Sequence, residues 1–214
     1  MAKDPPIPAL ARLHRRLVDF GELAAEVLAG PARCGATRLV CVDGRSAAGK
    51  TALAQRLAVA LGEPAVVHMD DLYPGWDGLA DGVAALREQI VQPLLLGRPA
   101  GYRRWDWYAD RYAERHDLGT PEVLLVEGVG AGAVAEHATL VLWIQVPDAQ
   151  RYRRAMARDG AAYRPYWDRW AAQEDVHFAL NETRERADVE VDGAPTVAHD
   201  PHTQLVLVTQ RTSS

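Results

Sequence analysis

Cysteine is scarce in this chain, which has only Cys34 and Cys41 among its 214 residues. Two cysteines cannot build a disulfide framework, and neither lies in a metal-binding spacing such as C-x-x-C. Cys41 lies within an apolar stretch, which predicts a small buried side chain. The sequence therefore predicts neither a disulfide scaffold nor a cysteine metal site.

Long apolar runs and an excess of positive charge are also missing. No run approaches the roughly 18 residues that a membrane span requires, and the first ten residues, MAKDPPIPAL, lack the pattern of a secretion signal. The net charge of −5 argues against a broad surface for nucleic acid. We therefore expect a cytoplasmic protein that binds small molecules, with no nucleic-acid or membrane partner, and a homo-oligomer remains open.

The length and the hydrophobic pattern favour one α/β domain covering residues 1–214. Apolar runs typical of buried strands occur at 37–43, 65–69, 123–127, 140–146 and 187–191, and a further run at 204–209 could add an edge strand. Helical spacing occurs at 9–28, 50–61, 79–96, 148–158 and 166–186. The alternation predicts a central parallel five-stranded sheet with helices on both faces, preceded by an N-terminal helical extension (1–36).

A glycine-rich loop stands between the first of these strands and the helix that follows it. Its sequence, GRSAAGKT at 44–51, matches the phosphate-binding pattern G-x-x-x-x-G-K-[ST] in full. Backbone N–H groups of such a loop and the N-terminal end of the next helix cradle a polyphosphate. The predicted nucleotide-binding residues of the loop are Gly44, Ser46, Ala47, Ala48, Gly49, Lys50 and Thr51. The motif predicts a P-loop NTPase fold with ATP and Mg²⁺ as cofactors, Lys50 on the β- and γ-phosphates and Thr51 on the metal.

Two absences bear on what is done with the phosphate. A GTPase would be expected to carry an N-K-x-D motif, but the only asparagine is Asn181, in NETR. A motor-type ATPase usually ends a strand in four apolar residues and Asp, whereas VLLVEG ends its strand in Glu127. Both observations favour a kinase.

Carboxylates follow two of the predicted strands on the edge where ligands bind in parallel sheets. Asp70, in HMDDLY, could accept the proton of an attacking hydroxyl, which makes it the predicted catalytic base. Glu127 is predicted to hold Mg²⁺ together with Thr51. The alternative is that Asp70 and its neighbour Asp71 cap a turn, and that Glu127 caps the end of its strand.

A cluster of arginines follows the fourth strand. Arg151, Arg154 and Arg158 share one face of the predicted helix at 148–158. Such a face is often only solvated, but lids over phosphate sites use arginines to clamp the transferring group. We predict a lid at about 148–166, with Arg154 as a catalytic residue and Arg151 and Arg158 on the nucleotide.

The segment 97–120 is polar, aromatic and without regular spacing, which favours a substrate-facing excursion over a core element. Its large aromatic residues are Tyr102, Trp105, Trp107, Tyr108 and Tyr112. They could stack on a planar ring, or pack the excursion onto the body of the protein.

Together these features make the chain resemble the uridine kinase family of P-loop nucleoside kinases. The likeness covers 38–193 and rests on GRSAAGKT, MDDLY, RRWDW, VLLVEG, RYRRAMARDG and RADVEVDG. The resemblance implies ATP-dependent phosphorylation of a sugar hydroxyl, activation of that hydroxyl by Asp70, acceptor contacts from Tyr73 and Asp106, and lid arginines. The family's Asp-His-Pro-Asp segment has no counterpart between Tyr73 and Gly101, and aromatic residues, Trp105 among them, take its place as predicted acceptor contacts.

The sequence therefore predicts a kinase that transfers the γ-phosphoryl group of Mg-ATP to a hydroxyl of a small metabolite, with a uridine-like nucleoside as the first candidate. Lys50, Asp70 and Arg154 are the predicted catalytic residues. Two alternatives remain: a kinase of a non-nucleoside alcohol, such as a sugar or an antibiotic, and a nucleotide-binding regulatory protein without transfer activity.

Overall fold

The computed structural model describes residues 14–209 as an α/β fold built on one large sheet. Its strands are β1 (His14–Asp19), β2 (Arg38–Asp43), β3 (Ala65–His68), β4 (Ala100–Asp106), β5 (Arg111–Gly119), β6 (Val123–Glu127), β7 (Leu140–Gln145), β8 (Val189–Asp192) and β9 (Gln204–Thr209). Its α-helices are α1 (Phe20–Ala29), α2 (Lys50–Ala60), α3 (Leu79–Ala85), α4 (Gln92–Leu95), α5 (Asp148–Arg158) and α6 (Trp167–Asn181).

Within the described residues, seven strands form the large sheet, in the order β1-β9-β8-β7-β2-β6-β3. The five strands from β8 to β3 are parallel, which confirms the predicted parallel core. The sheet has more than the predicted five strands, because β9, at the run 204–209 that could add an edge strand, and β1, which was not predicted, extend it antiparallel at one edge. The middle strand of this parallel part is β2, so the loop that follows it begins between β7 and β6 at the centre of the five parallel strands.

The predicted N-terminal helix at 9–28 is wrong over its first described part. Residues 14–19 form β1, which pairs with β9, and the helix begins only at Phe20. The spacing of Leu17, Phe20 and Leu23 fits one helix, and Phe20 and Leu23 do lie in α1. Leu17 belongs instead to the short edge strand before it. In β1 Val18 is buried and Leu17 is largely exposed, the alternation of a strand. Residues 9–13 lie outside the described residues.

Alternate side chains of the parallel strands pack into two cores, one on each face of the sheet. In β2, Leu39 and Cys41 join the core formed with α3, α4 and α6. Val40 and Val42 join the core formed with α1 and α2. Burial on both faces explains why these strands are almost continuously apolar in sequence. Cys41 is fully buried and its thiol is free, as predicted.

The helix predicted at 79–96 is interrupted in its middle. A π-helical segment (Leu86–Val91) lies between α3 and α4. Pro93 lacks the N–H that would bond to the carbonyl of Gln89, and its ring crowds that carbonyl, so a widened turn before it is expected.

The segment predicted as an unperiodic excursion is a two-stranded hairpin. Its strands β4 and β5 pair antiparallel, and residues 107–110 form the connecting loop. The helix predicted at 166–186 ends earlier, at Asn181, because Glu182 takes a left-handed conformation with φ of 47°. No helix in the described part of the chain is long and apolar enough to cross a membrane.

Candidate active site

The glycine-rich loop wraps around the ammonium group of Lys50. The Nζ atom donates to the carbonyl oxygens of Gly44 at 2.8 Å and Arg45 at 3.1 Å. Gly44 and Gly49 have φ of 144° and 104°, conformations that other residues rarely adopt. A Cβ on Gly44 would also lie 2.5 Å from the carbonyl oxygen of Ile144. The strand, loop and helix are therefore arranged as the phosphate-binding motif requires, with the positive group at the centre of the loop.

Oxygen atoms suited to a metal lie beside the loop. The Thr51 hydroxyl donates to Oε1 of Glu127 at 3.1 Å, and Nδ1 of His68 lies 2.7 Å from the same oxygen. The hydrogen bond with Glu127 raises the pKa of His68. A hydroxyl and one carboxylate fit Mg²⁺, which completes its shell with water and phosphate oxygens rather than with a full protein cage. Accordingly, residues 14–209 hold no group of three acidic, histidine or cysteine side chains placed to bind a metal ion.

Asp70 begins the turn that follows β3, and its carboxylate faces a cleft. Among the described residues this carboxylate has no hydrogen-bond or ion-pair partner. Burial raises the pKa of Asp70, and the nearby Glu127 raises it further, while Lys50 acts in the opposite direction. Protein atoms lie close around the carboxylate, but Asp70 is exposed to solvent on its cleft side. A carboxylate without a partner in a cleft is suited to accept a proton.

Lys50, Thr51, Asp70 and Glu127 line one cavity of about 600 Å³. Close approach of the chain at Gly128 brings its walls together, since a Cβ there would lie 2.4 Å from Cβ of Met69. The cavity reaches from the phosphate-binding loop to a group of aromatic rings. Those rings belong to Tyr73, Trp76, Trp107, Tyr163 and Trp170.

The three predicted lid arginines have different surroundings. Arg158 lines the main cavity and pairs with Asp159. Arg151 is buried and donates to the carbonyl of Ser46, and Arg154 donates to the carbonyls of Ala48 and Gly193. The structure therefore brings one arginine to the main cavity, whereas the other two hold the backbone of the phosphate-binding loop.

The hairpin meets the cavity through Trp107 rather than through its predicted contact residues. Trp105 packs its ring edge-on against Tyr112, and Asp106 accepts two backbone N–H bonds within the hairpin loop. Neither lines the cavity, so the structure does not place them with the other site residues. Trp107 lies in the loop beyond the end of β4, so strand alternation does not set its direction, and the sequence alone did not locate this loop.

Tyr73 lies where the sequence predicted, in the wall of the cavity. It is almost completely buried, and its hydroxyl donates to the carbonyl of Val129 at 2.6 Å. The ring also packs edge-on against Trp170, with 4.9 Å between centroids. Tyr73 therefore supports the wall of the cavity, and its hydroxyl is not free for a ligand.

Asp43 was not singled out from the sequence, although it directly precedes the loop. Its fully buried carboxylate accepts N–H bonds from Gly44, Gly130 and Gly132. It thus ties the phosphate-binding loop to the turn after β6, the strand that ends in Glu127. Burial raises the pKa of Asp43 to about 6, although the three hydrogen bonds lower it. The feature of the sequence that could have identified Asp43 was its position, as an acidic residue at the end of an otherwise apolar strand.

The raised pKa of Asp43 predicts a pH-dependent stability. Because the folded-state pKa lies above the ordinary value, the contribution of Asp43 to stability is complete below about pH 4 and is lost as the pH rises through about 6. The amide of an Asp43→Asn variant does not titrate. The difference in free energy of unfolding between wild type and variant should therefore shift by about 2 kcal/mol against the wild type between pH 4.5 and pH 7.5. Urea unfolding of both proteins at the two pH values measures it. An unchanged difference would contradict the prediction.

Helix α6 supplies a second support that the sequence did not reveal. The carboxylate of Glu174, which is buried, accepts the backbone N–H of Ser46 at 2.8 Å and lies 3.6 Å from the guanidinium of Arg45. Trp170, Glu174 and His177 are buried at spacings of four and three residues, so they share one helix face. Through Glu174 this face holds the phosphate-binding loop from the side opposite α2. The only sign of this in the sequence was an acidic residue at a position where the helical spacing predicts a buried side chain.

Comparison with solved structures identifies the fold. The chain aligns with a possible uridine kinase from Bacillus stearothermophilus at 24% identity and a TM-score of 0.56, over 80% of this chain and 96% of that one. A fructose transport system kinase candidate from Silicibacter sp. TM1040 aligns at 19% identity and a TM-score of 0.47, over 79% and 92% of the two chains. Shikimate kinase from Acinetobacter baumannii aligns at 15% identity and a TM-score of 0.43, over 78% and 87%. No family model matches the sequence, and no curated protein matches it significantly. The first likeness confirms the predicted P-loop α/β fold.

Proposed function

We propose that this chain is a kinase that transfers the γ-phosphoryl group of Mg-ATP to a hydroxyl of a small molecule. The observation that carries the proposal is the shared cavity, which holds the Lys50 ammonium at one wall and the unpartnered carboxylate of Asp70 at another. Binding of a nucleotide needs only the first group. The second is required where a hydroxyl must lose its proton as it attacks phosphorus.

Five polar residues of the cavity have a part in this reaction. Lys50 and the N–H groups of the loop neutralise the β- and γ-phosphates, and Asp70 accepts the proton of the attacking hydroxyl. Thr51 and Glu127 hold Mg²⁺, which neutralises phosphate charge when bound. Arg158 lies on the lid side of the cavity and adds positive charge to the transferring group. Arg154 and Arg151 keep the loop in shape rather than contact the phosphoryl group.

A second cavity, of about 280 Å³, provides room for the rest of the nucleotide. It lies on the other side of the loop, between Ala48 and Gly49 on one side and Gly193 and Pro195 on the other. Arg154 lines it as well. We propose that the base of ATP lies there, so that the phosphates run through the loop towards Asp70.

The test is a search for an acceptor that makes ADP release rise. Purified protein with Mg-ATP is screened against nucleosides, sugars and amino alcohols, with uridine as the first nucleoside. A true acceptor should raise the rate at least about tenfold above the ATP-only rate, because water is then replaced by a positioned hydroxyl. Mass spectrometry of the product must show the added phosphoryl group. Tight binding of ATP with no acceptor-dependent release across the panel would favour a regulatory nucleotide-binding protein.

A further inference from the structure

The acceptor end of the main cavity is walled by aromatic rings from separate parts of the chain. Trp76 follows the turn that carries Asp70, Trp107 lies in the hairpin loop, and Trp170 lies on α6. The Trp76 ring lies 5.0 Å from that of Trp107 and 6.2 Å from that of Trp170, centroid to centroid. Three elements that are distant in sequence thus converge on one apolar wall beside the predicted base.

Two hydrogen-bonding atoms of this wall are already used by the protein. Nε1 of Trp107 donates to the backbone carbonyl of Asp70 at 2.8 Å, and the Tyr73 hydroxyl donates to Val129. Trp107, which is 38% exposed, therefore presents ring surface to a bound molecule, whereas Tyr73, at 1%, supports the wall from behind. Ring surface binds another ring by stacking or edge contact, and does not distinguish molecules by their hydrogen-bonding pattern.

The charges around the cavity disfavour an acidic acceptor. Among the described residues that line it, the only cations are Lys50 and Arg158. Lys50 lies within the phosphate-binding loop, and Arg158 pairs with Asp159 at 2.7 Å. The same lining holds three carboxylates, Asp70, Glu127 and Asp159, so a carboxylate or phosphate on the acceptor would add negative charge where acids already outnumber cations. Burying such an unpaired charge is costly.

We infer that the acceptor is an alcohol whose non-reacting part is a flat, uncharged aromatic ring and which carries no acid group. The inference rests on the proposed kinase function and names its acceptor class. The ring lies against Trp107 and against the part of the Trp76 ring that Tyr166, stacked on it at 4.3 Å, leaves free. A hydroxyl on its side chain then lies next to Asp70, whose carbonyl is bonded to Trp107. The cavity selects its acceptor by the aromatic ring and by the absence of negative charge, so it accepts a range of aryl alcohols.

Three matched compounds test the class. 1-Phenyl-1,2-ethanediol has the ring and a neutral diol, 1-cyclohexyl-1,2-ethanediol has a saturated ring, and mandelate has a carboxylate in place of the terminal alcohol. Binding is followed by tryptophan fluorescence without ATP, and transfer by ADP release with Mg-ATP. The phenyl diol should bind at least about tenfold more tightly than either of the other two. Equal binding of the cyclohexyl diol, or equal or tighter binding of mandelate, overturns the inference, and so does an absence of binding by all three.

The two readouts separate this inference from the proposed function. If the phenyl diol binds selectively, but neither this series nor the acceptor panel raises ADP release, the preference for a neutral aromatic ring stands as a property of the cavity and the kinase function fails. If ADP release rises only with mandelate or the cyclohexyl diol, the kinase function stands and the class is overturned.

Variants in the hairpin loop locate the effect. Trp107→Leu should weaken binding of the phenyl diol by about tenfold. Trp107→Phe keeps a ring but loses the bond to the Asp70 carbonyl. It should still bind the phenyl diol more tightly than the cyclohexyl diol. Tyr108→Leu is the matched control, because Tyr108 is next in sequence but fully exposed and outside the cavity. Loss of the preference in the Tyr108 variant, or its retention in Trp107→Leu, contradicts the assignment.

Discussion

Replacing Asp70 by Asn should lower kcat by about 10²- to 10⁴-fold and leave the affinity for Mg-ATP nearly unchanged. The amide has almost the size of the carboxylate but cannot accept a proton from the attacking hydroxyl. Because the Asp70 carboxylate makes no hydrogen bond or ion pair with residues 14–209, the substitution breaks no protein contact. Steady-state kinetics with the acceptor found by screening, together with equilibrium ATP binding, measure the two effects separately.

Asp71→Asn is the matched control for this experiment. Asp71 is the next residue, but it lies outside the cavity and accepts a bond from the hydroxyl of Tyr102. An asparagine there can still accept that bond, so kcat should change less than about threefold. Equal turnover of wild type and Asp70→Asn would remove Asp70 from the mechanism. A large loss in both variants would indicate a structural role for the turn instead.

Asp70 also predicts the acid side of the pH–rate profile. Burial, followed by the charge of Glu127, raises the pKa of Asp70. The carboxylate must be ionised to act as a base, so activity is lost as the pH falls through this raised pKa. The acid limb should therefore lie above the range of an ordinary aspartate, and it should disappear from the residual activity of Asp70→Asn.

The parallel core could be predicted because its information is local. A strand buried on both faces is apolar throughout, as in VLLVE of β6, and such a run is recognisable without knowing its partners. Strand β1 could not be found in this way. Its sequence, HRRLVD, is mostly polar, and it is a strand because β9, almost 190 residues later, offers it backbone partners. Long-range pairing of a short edge strand leaves little trace in its own sequence.

The residues of the candidate site also differ in whether a local sequence pattern could reveal them. The phosphate-binding loop is a contiguous motif, and Asp70 and Glu127 were located because parallel strands end at the same edge of a sheet. The aromatic wall combines Trp76, Trp107 and Trp170, which no local pattern connects.

Three arginines of α5 show a further limit of prediction from sequence. They do share a helix face, but the face runs along the loop, so that Arg151 and Arg154 reach its backbone and Arg158 reaches the cavity.

Lys50→Met should lower kcat/KM for ATP by about 10³-fold, the second large effect that the structure predicts. The methionine side chain has a similar length but no charge, so the negative charge of the transferring phosphoryl group is no longer neutralised from the loop. Two hydrogen bonds are lost as well, those to the carbonyls of Gly44 and Arg45. Thermal unfolding is therefore measured beside the kinetics, to show that the variant is folded at the assay temperature.

Two comparisons decide whether the loss of Lys50 acts through its charge in the loop. Arg153→Met removes one positive charge from an exposed position of α5 that lines neither cavity, and it should leave kcat/KM within about twofold of the wild type. Lys50→Arg keeps the charge, but a planar guanidinium on a longer stem cannot make both bonds to the loop carbonyls, so it should restore only a small part of the activity. A folded Lys50→Met variant with wild-type turnover would show that the loop does not act on the transferring phosphate. A loss of ATP binding in Lys50→Met, in a protein that responds to no acceptor, would instead support a nucleotide sensor, since binding needs the loop whereas transfer also needs Asp70.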